Sequence, residues 1–179
     1  LPYMLVFSTL SAWLRDAGAA LTVIGFISWA ALTYSLKFLW SPFVDRIKMP
    51  LNQAVGQRRS WILMMQLLIL ILILMMSQFD PISSLNFIVI TAVLIAFFGS
   101  LQDIAVDAYR IEMVSLDEQG NLAASYQFGY RLSILVATSL ALIFADFVSW
   151  QKVYLMLSFF MLIGVLGAPD LVSGDLGAF

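Results

Sequence analysis

The chain has 179 residues, is 62% hydrophobic but only 11% charged, and carries a formal net charge of −2 at neutral pH. A water-soluble domain keeps about a quarter of its residues charged, so with a mean hydropathy of +0.96 the outer face of this chain is expected to meet lipid. The acidic balance offers no basic face for nucleic acid, and the lack of Cys and His excludes disulfides, thiolate or imidazole metal sites and any nucleophile–histidine pair.

A helix needs about 20 mostly apolar residues to cross the hydrocarbon. On that measure the chain reads as an all-α membrane protein, a six-span bundle over 1–168 with a short cytoplasmic tail at 169–179. The spans are expected near 1–14, 20–44, 61–79, 85–109, 122–145 and 151–168. The first, "LPYMLVFSTLSAWL", reads as the second half of a longer helix, because no basic segment precedes it. The same feature argues against a signal peptide. Connections at 15–19, 80–84 and 146–150 are short, which makes successive spans antiparallel.

Orientation follows from Lys and Arg. The segment 45–60, "DRIKMPLNQAVGQRRS", holds Arg46, Lys48, Arg58 and Arg59, and Arg110 heads the next loop on that side. The opposite loops offer Arg15 and Lys152. Residues 45–60 and 110–121 are therefore expected in the cytoplasm, together with both termini. Asp45, Arg46, Arg58, Arg59 and Arg110 stand close enough in this pattern to pair across the cytoplasmic face as a gate, arginine favouring two-point contact with carboxylates. The plainer alternative is a solvated basic loop that fixes topology alone.

Two cations lie within spans. Lys37 is about eight residues from the end of its helix and is expected to snorkel along the Phe38/Trp40 region. Arg131 lies roughly 13 Å inside its own helix at 1.5 Å per residue, where a charge needs a partner. The stretch "GSLQDIAVDAYRIEM" (99–113) supplies one, since Asp103 falls at similar depth on the antiparallel neighbour. Asp107 and Arg110 share its helical stripe as a second pair. Together with Gln102, Tyr126 and Tyr130 these residues form one wall of a polar cavity. Two readings stay open, a static ion pair between helices or a substrate and proton pathway.

The combination "STLSAWLRDAG" (8–18), "LKFLWSPFVDR" (36–46), "GQRRSW" (56–61), "QDIAVDAYRIE" (102–112) and "GYRL" (129–132) resembles the AmpG muropeptide permeases of the major facilitator superfamily, relatives of the acetyl-coenzyme A transporters. The resemblance runs in order through nearly the whole chain. It implies the N-terminal six-helix half of such a transporter, first helix truncated, importing sugar–peptide fragments of cell-wall turnover across the inner membrane with protons. It implies no cofactor and no enzymatic activity. On this resemblance Asp45 and Arg46 fall on the acidic–basic pair of the family's loop signature, and Arg58 and Arg59 on its trailing cations. Ser41 and Gln57 depart from it, standing where Gly and Arg are usual, and the spacer 47–55 is long.

Facilitator proteins enclose substrate between two six-helix halves. The expected partners are therefore the missing C-terminal half or a second copy, along with the sugar–peptide substrate, protons and lipid bilayer. Two rivals remain: a non-transporting piece of a split or decayed gene, and a Mg²⁺-dependent intramembrane prenyltransferase-like enzyme, since Asp103 and Asp107 one turn apart can share a hard cation. Against the enzyme, Asp170 and Asp175 have the wrong spacing for a second metal motif.

Overall fold

The computed structural model describes residues 2–49, 56–113, 115, 117 and 119–173, and every regular element among them is helical. Six rods follow one another. The first, α1, joins Pro2–Met4, a π-helical turn Leu5–Thr9 and Leu10–Asp16. The second, α2, runs Leu21–Ser35 and then Lys37–Arg46, bent by 52° at Leu36. After it come α3 (Gln57–Met76), α4 (Leu85–Met113) and α5 (Gln119–Ala145, with a π-helical turn at Val136–Leu140), and finally α6 (Trp150–Ser173). Three of them, α3, α4 and α5, are long and apolar enough to cross a membrane alone, and the two pieces of α2 make a fourth counted as one span. The protein is an all-α membrane protein.

Sequence chemistry explains the breaks. Pro42 lies inside the second piece of α2 and has no N–H to give the Phe38 carbonyl, while the bend itself falls at Leu36, whose φ of −93° and ψ of 13° leave the helical region. Gly18 takes a φ of +82° after α1, while the N–H groups of Gly18 and Ala19 return to Arg15 and Leu14 at 3.0 and 2.9 Å. A left-handed residue is what closes a helix this way. The last helix continues to Ser173, so the tail expected from 169 begins as helix. A helix leaving an apolar layer has no need to stop there, since continuing satisfies its own backbone groups. Residues 174–179 of that tail and 50–55 of the basic loop lie outside the described residues.

The main core joins α1, α3, α4 and α6 through Leu10, Leu14, Ile69, Ile73, Ile88, Ile95, Tyr154 and Leu157, all fully buried. Small residues on α4, among them Ala92, Ala96 and Ala105, are also fully buried. Side chains this short let neighbouring helices approach closely. The two π-helical turns of α1 and α5 meet, the Thr9 hydroxyl donating to the Ala137 carbonyl. A π turn loosens the helical ladder and frees a carbonyl for such a partner. A smaller core of Val44, Trp61, Met65, Leu101 and Ile104 fastens α2, α3 and α4 where α2 ends. Helix α5 is the least covered: 11% of its apolar window is buried, against 44% for α3 and 50% for α4.

Candidate functional site

A cavity of about 790 Å³ opens among the helices, and each of the six contributes to its lining. From α4 come Gly99, Gln102, Asp103 and Val106, and from α5 Tyr126, Gly129, Tyr130 and Ser133. Both sets follow the i, i+3, i+4, i+7 spacing that keeps residues on one helical face. Tyr34 of α2 and Gln66 of α3 face them. The Tyr34 hydroxyl sits against Gly99, where any β-carbon would clash with it, so the cavity wall depends on that glycine. Gln102 donates to the Gln66 carbonyl oxygen, and the Gln66 amide donates to the Met161 carbonyl at 3.2 Å. This chain of amides fixes both glutamines. Asp103, half-buried, makes no hydrogen bond or ion pair among the described residues.

The expected Asp103–Arg131 pair is not formed. Lys37 takes the role of intramembrane cation instead, its ammonium 3.1 Å from Asp107 Oδ2, while Arg110 lies 3.8 Å from Asp107 Oδ1 and 4.6 Å above the Tyr126 ring. Asp107 thus holds both cations one turn beyond the cavity. Arg131 is exposed and has no ion pair among the described residues. Depth along the helices gave the wrong partner because it fixes height alone. Arg131 follows Tyr130 by one residue, about 100° further around the helix, and leaves the face that Tyr126 and Tyr130 present. Lys37 does not snorkel, because the bend at Leu36 starts a new helix with Lys37 at its head, within reach of α4.

The end of the bundle where α2 ends and α3 begins is closed by charge. Arg58 of α3 bridges Asp45 of α2 and Glu112 of α4, with Arg58 Nη2 to Glu112 Oε1 at 3.1 Å. Arg59 donates to the Tyr109 hydroxyl at 2.9 Å. Gln57 donates to the Asp45 and Val44 carbonyls at 2.6 and 3.3 Å, serving as a cap for the last turn of α2. Arg46 is exposed and takes no part in these pairs among the described residues. Of the proposed gate set, the structure joins Asp45 to Arg58, and it places Arg59 and Arg110 beside them on Tyr109 and Asp107.

The sequence reading had left Tyr34, Gln66 and Glu112 without roles. Gln66 carried a visible signal, since it is the one polar side chain between Trp61 and Met76. A lone amide in a lipid-depth helix requires partners. Glu112 sits three residues from Tyr109 and gave no comparable sign.

Apolar helices thus surround a cavity that holds Asp103 and two glutamines, and ion pairs are drawn across one end of the bundle. The chain belongs to the Major Facilitator Superfamily, whose sequence profile matches residues 1–171. This places it with transporters rather than enzymes. It is 38% identical over 165 residues to an uncharacterized protein of Haemophilus influenzae, covering 92% of this chain and 38% of that protein. It is 38% identical over 174 residues to the anhydromuropeptide permease of Escherichia coli K12, covering 95% and 35%. With the putative transporter AmpG 4 of Rickettsia felis it shares 35% over 160 residues, covering 88% and 39%. The chain thus spans well under half the length of these relatives.

Proposed function

We propose that the whole protein containing this chain imports muropeptides across the inner membrane, driven by protons, with the 45–60 and 110–121 segments in the cytoplasm. The observation that carries this reading is the cavity itself, a largely apolar space among the helices into which Asp103, without a hydrogen bond or ion pair among the described residues, brings a carboxyl group. An intramembrane carboxylate facing a cavity is the kind of group that exchanges protons. The Asp45–Arg58–Glu112 bridge serves as the cytoplasmic gate: it must part for release, and exposed ion pairs part readily. Similarity to a protein named anhydromuropeptide permease supports the choice of solute. A second six-helix unit, from the same polypeptide or another, completes the enclosure.

The test is uptake of labelled muropeptide into right-side-out vesicles from cells that express the whole protein and lack other permeases. Uptake should collapse with a protonophore. Asp103→Asn should still equilibrate the solute but fail to accumulate it. Accumulation by that variant at the normal level would remove Asp103 from the coupling step, and no uptake by the unaltered protein would favour a non-transporting piece.

A further inference from the structure

We infer that Gln66 and Gly164 are positioning residues for Gln102 and decide which end of its amide the solute meets. This rests on the transport reading above, which places Gln102 in the solute's path, and adds two residues that act through it. Three helices take part: Gln66 stands midway along α3, Gln102 on α4, and Met161 and Gly164 on α6. All four border the cavity.

A primary amide keeps its shape when turned end for end, so its orientation is set by what its neighbours can donate or accept. The fixed point here is the Met161 carbonyl, a backbone group that accepts and cannot donate. Gln66 Nε2 donates to it at 3.2 Å, which leaves the Gln66 oxygen as the acceptor for a second partner. That partner is the Gln102 amide nitrogen. Gln102 is thereby held with its nitrogen toward α3, and its oxygen is the end that remains for a solute hydroxyl or N–H. The polarity of a cavity residue on α4 is thus set by a backbone carbonyl on α6.

Gly164 admits the bond on which this order depends. A β-carbon at that position would fall on Gln66 Nε2, so a bare α-carbon is what lets the amide cross to a carbonyl three residues back. Glycine inside a helix stabilises less than alanine, and here the close approach offsets that loss. The obstructed atom is the free end of a flexible side chain. Gly164→Ala would therefore turn the amide aside while the helices stay in place, and Gln102 would lose the acceptor that orients it.

The experiment measures labelled muropeptide uptake by vesicles of the whole protein as a function of concentration. Gly164→Ala and Gln66→Ala should each raise KM about tenfold, the size of one hydrogen bond, with the maximal rate little changed because the loss falls on binding. The double variant should match Gln66→Ala alone, since without the amide there is nothing for the added methyl group to displace. Thermal unfolding verifies that each variant is folded. An unchanged KM in either single variant overturns the inference, even where stability falls, since that marks a packing role alone. A double variant whose two effects multiply to about a hundredfold also overturns it, because Gly164 would then act by another route. Should the unaltered protein take up no muropeptide, the transport reading fails, and the positioning is decided separately by NMR of the protein with isotope-labelled glutamine side-chain amides. The Gln102 signal is the one lost in Gln102→Leu. Its displacement in Gly164→Ala sustains the inference, and an unmoved signal overturns it.

Discussion

The two ends of the bundle are held by different physics. Where α1 ends and α6 begins, contact is chiefly aromatic: Trp13 stacks on Trp150 at 6.5 Å, Trp13 meets Tyr154 at 4.7 Å, and the Tyr154 hydroxyl donates to the Leu5 carbonyl at 3.3 Å, with the Trp150 indole N–H donating to Asp16 Oδ2 at 3.1 Å on the exposed side. At the other end the fastening is Asp45, Arg58 and Glu112, whose carboxylate side chains are about half exposed. Buried aromatics contribute several kcal/mol each and have no second arrangement of equal energy. Exposed ion pairs contribute about 0–1 kcal/mol and exchange with water readily. If the whole protein opens and closes as proposed, the aromatic end is suited to stay joined and the ionic end to part.

The largest effect tests the permanent end. Tyr154 is fully buried, and Tyr154→Ala should cost about 3–5 kcal/mol, read as denaturant unfolding of the detergent-solubilised protein. A loss under about 1 kcal/mol would mean that end is not a fixed joint, and the contrast would fail.

Between the two ends lies Lys37–Asp107, each side chain about two-fifths exposed. Asp107→Asn alone should cost between the roughly 1 kcal/mol of an exposed pair and the roughly 3 kcal/mol of orphaning a buried charge. Adding Lys37→Met should recover most of it. A strictly additive double mutant would show that the two charges do not depend on one another.

Smaller again is the reversible end. Arg58→Gln should change stability by about 1 kcal/mol or less while altering uptake by the whole protein, if the Asp45–Arg58–Glu112 bridge acts as the proposed gate. A stability loss comparable to Tyr154→Ala would make the ionic end structural after all.

How much of this was legible in the sequence depends on what each signal measures. Spans came from hydropathy, which reports the solvent; among the described residues three helices are long and apolar enough to cross a membrane, and the bent α2 makes a fourth counted as one span. The α4 face of Gln102 and Asp103 and the α5 face of Tyr126 and Tyr130 came from helical spacing, and the structure brings them to one cavity. Pairing across helices was not legible. It needs the rotation of each helix about its axis, which placed Arg131 outside, and the bend at Leu36, which placed Lys37 inside. Glu112 was visible as a charge, but its bond to Arg58 spans 54 residues and needs the packed bundle.

The smallest expected effect returns to the permanent end, at the turn between α3 and α4. Asp80 Oδ1 accepts the N–H groups of Ile82 and Ser83 at 3.1 and 3.0 Å, and its carbonyl accepts the Ser84 N–H at 3.1 Å, so the chain is turned just before Leu85 begins α4. These donors, chiefly the Ser83 N–H, favour the charged carboxylate and hold its pKa below the usual carboxylate value of 3.8. A pKa depressed in the folded state adds stability above the unfolded pKa and loses it as pH falls through the folded one. The window is therefore below about pH 4, and stability between pH 5 and 8 should not depend on this group. Asp80→Asn keeps an acceptor oxygen in the turn but cannot titrate, so its unfolding midpoint should track the unaltered protein at neutral pH and fall less steeply in acid. Parallel acid limbs in the two proteins would show that the turn draws nothing from the Asp80 charge. A difference appearing near pH 6 would assign the titration to another group.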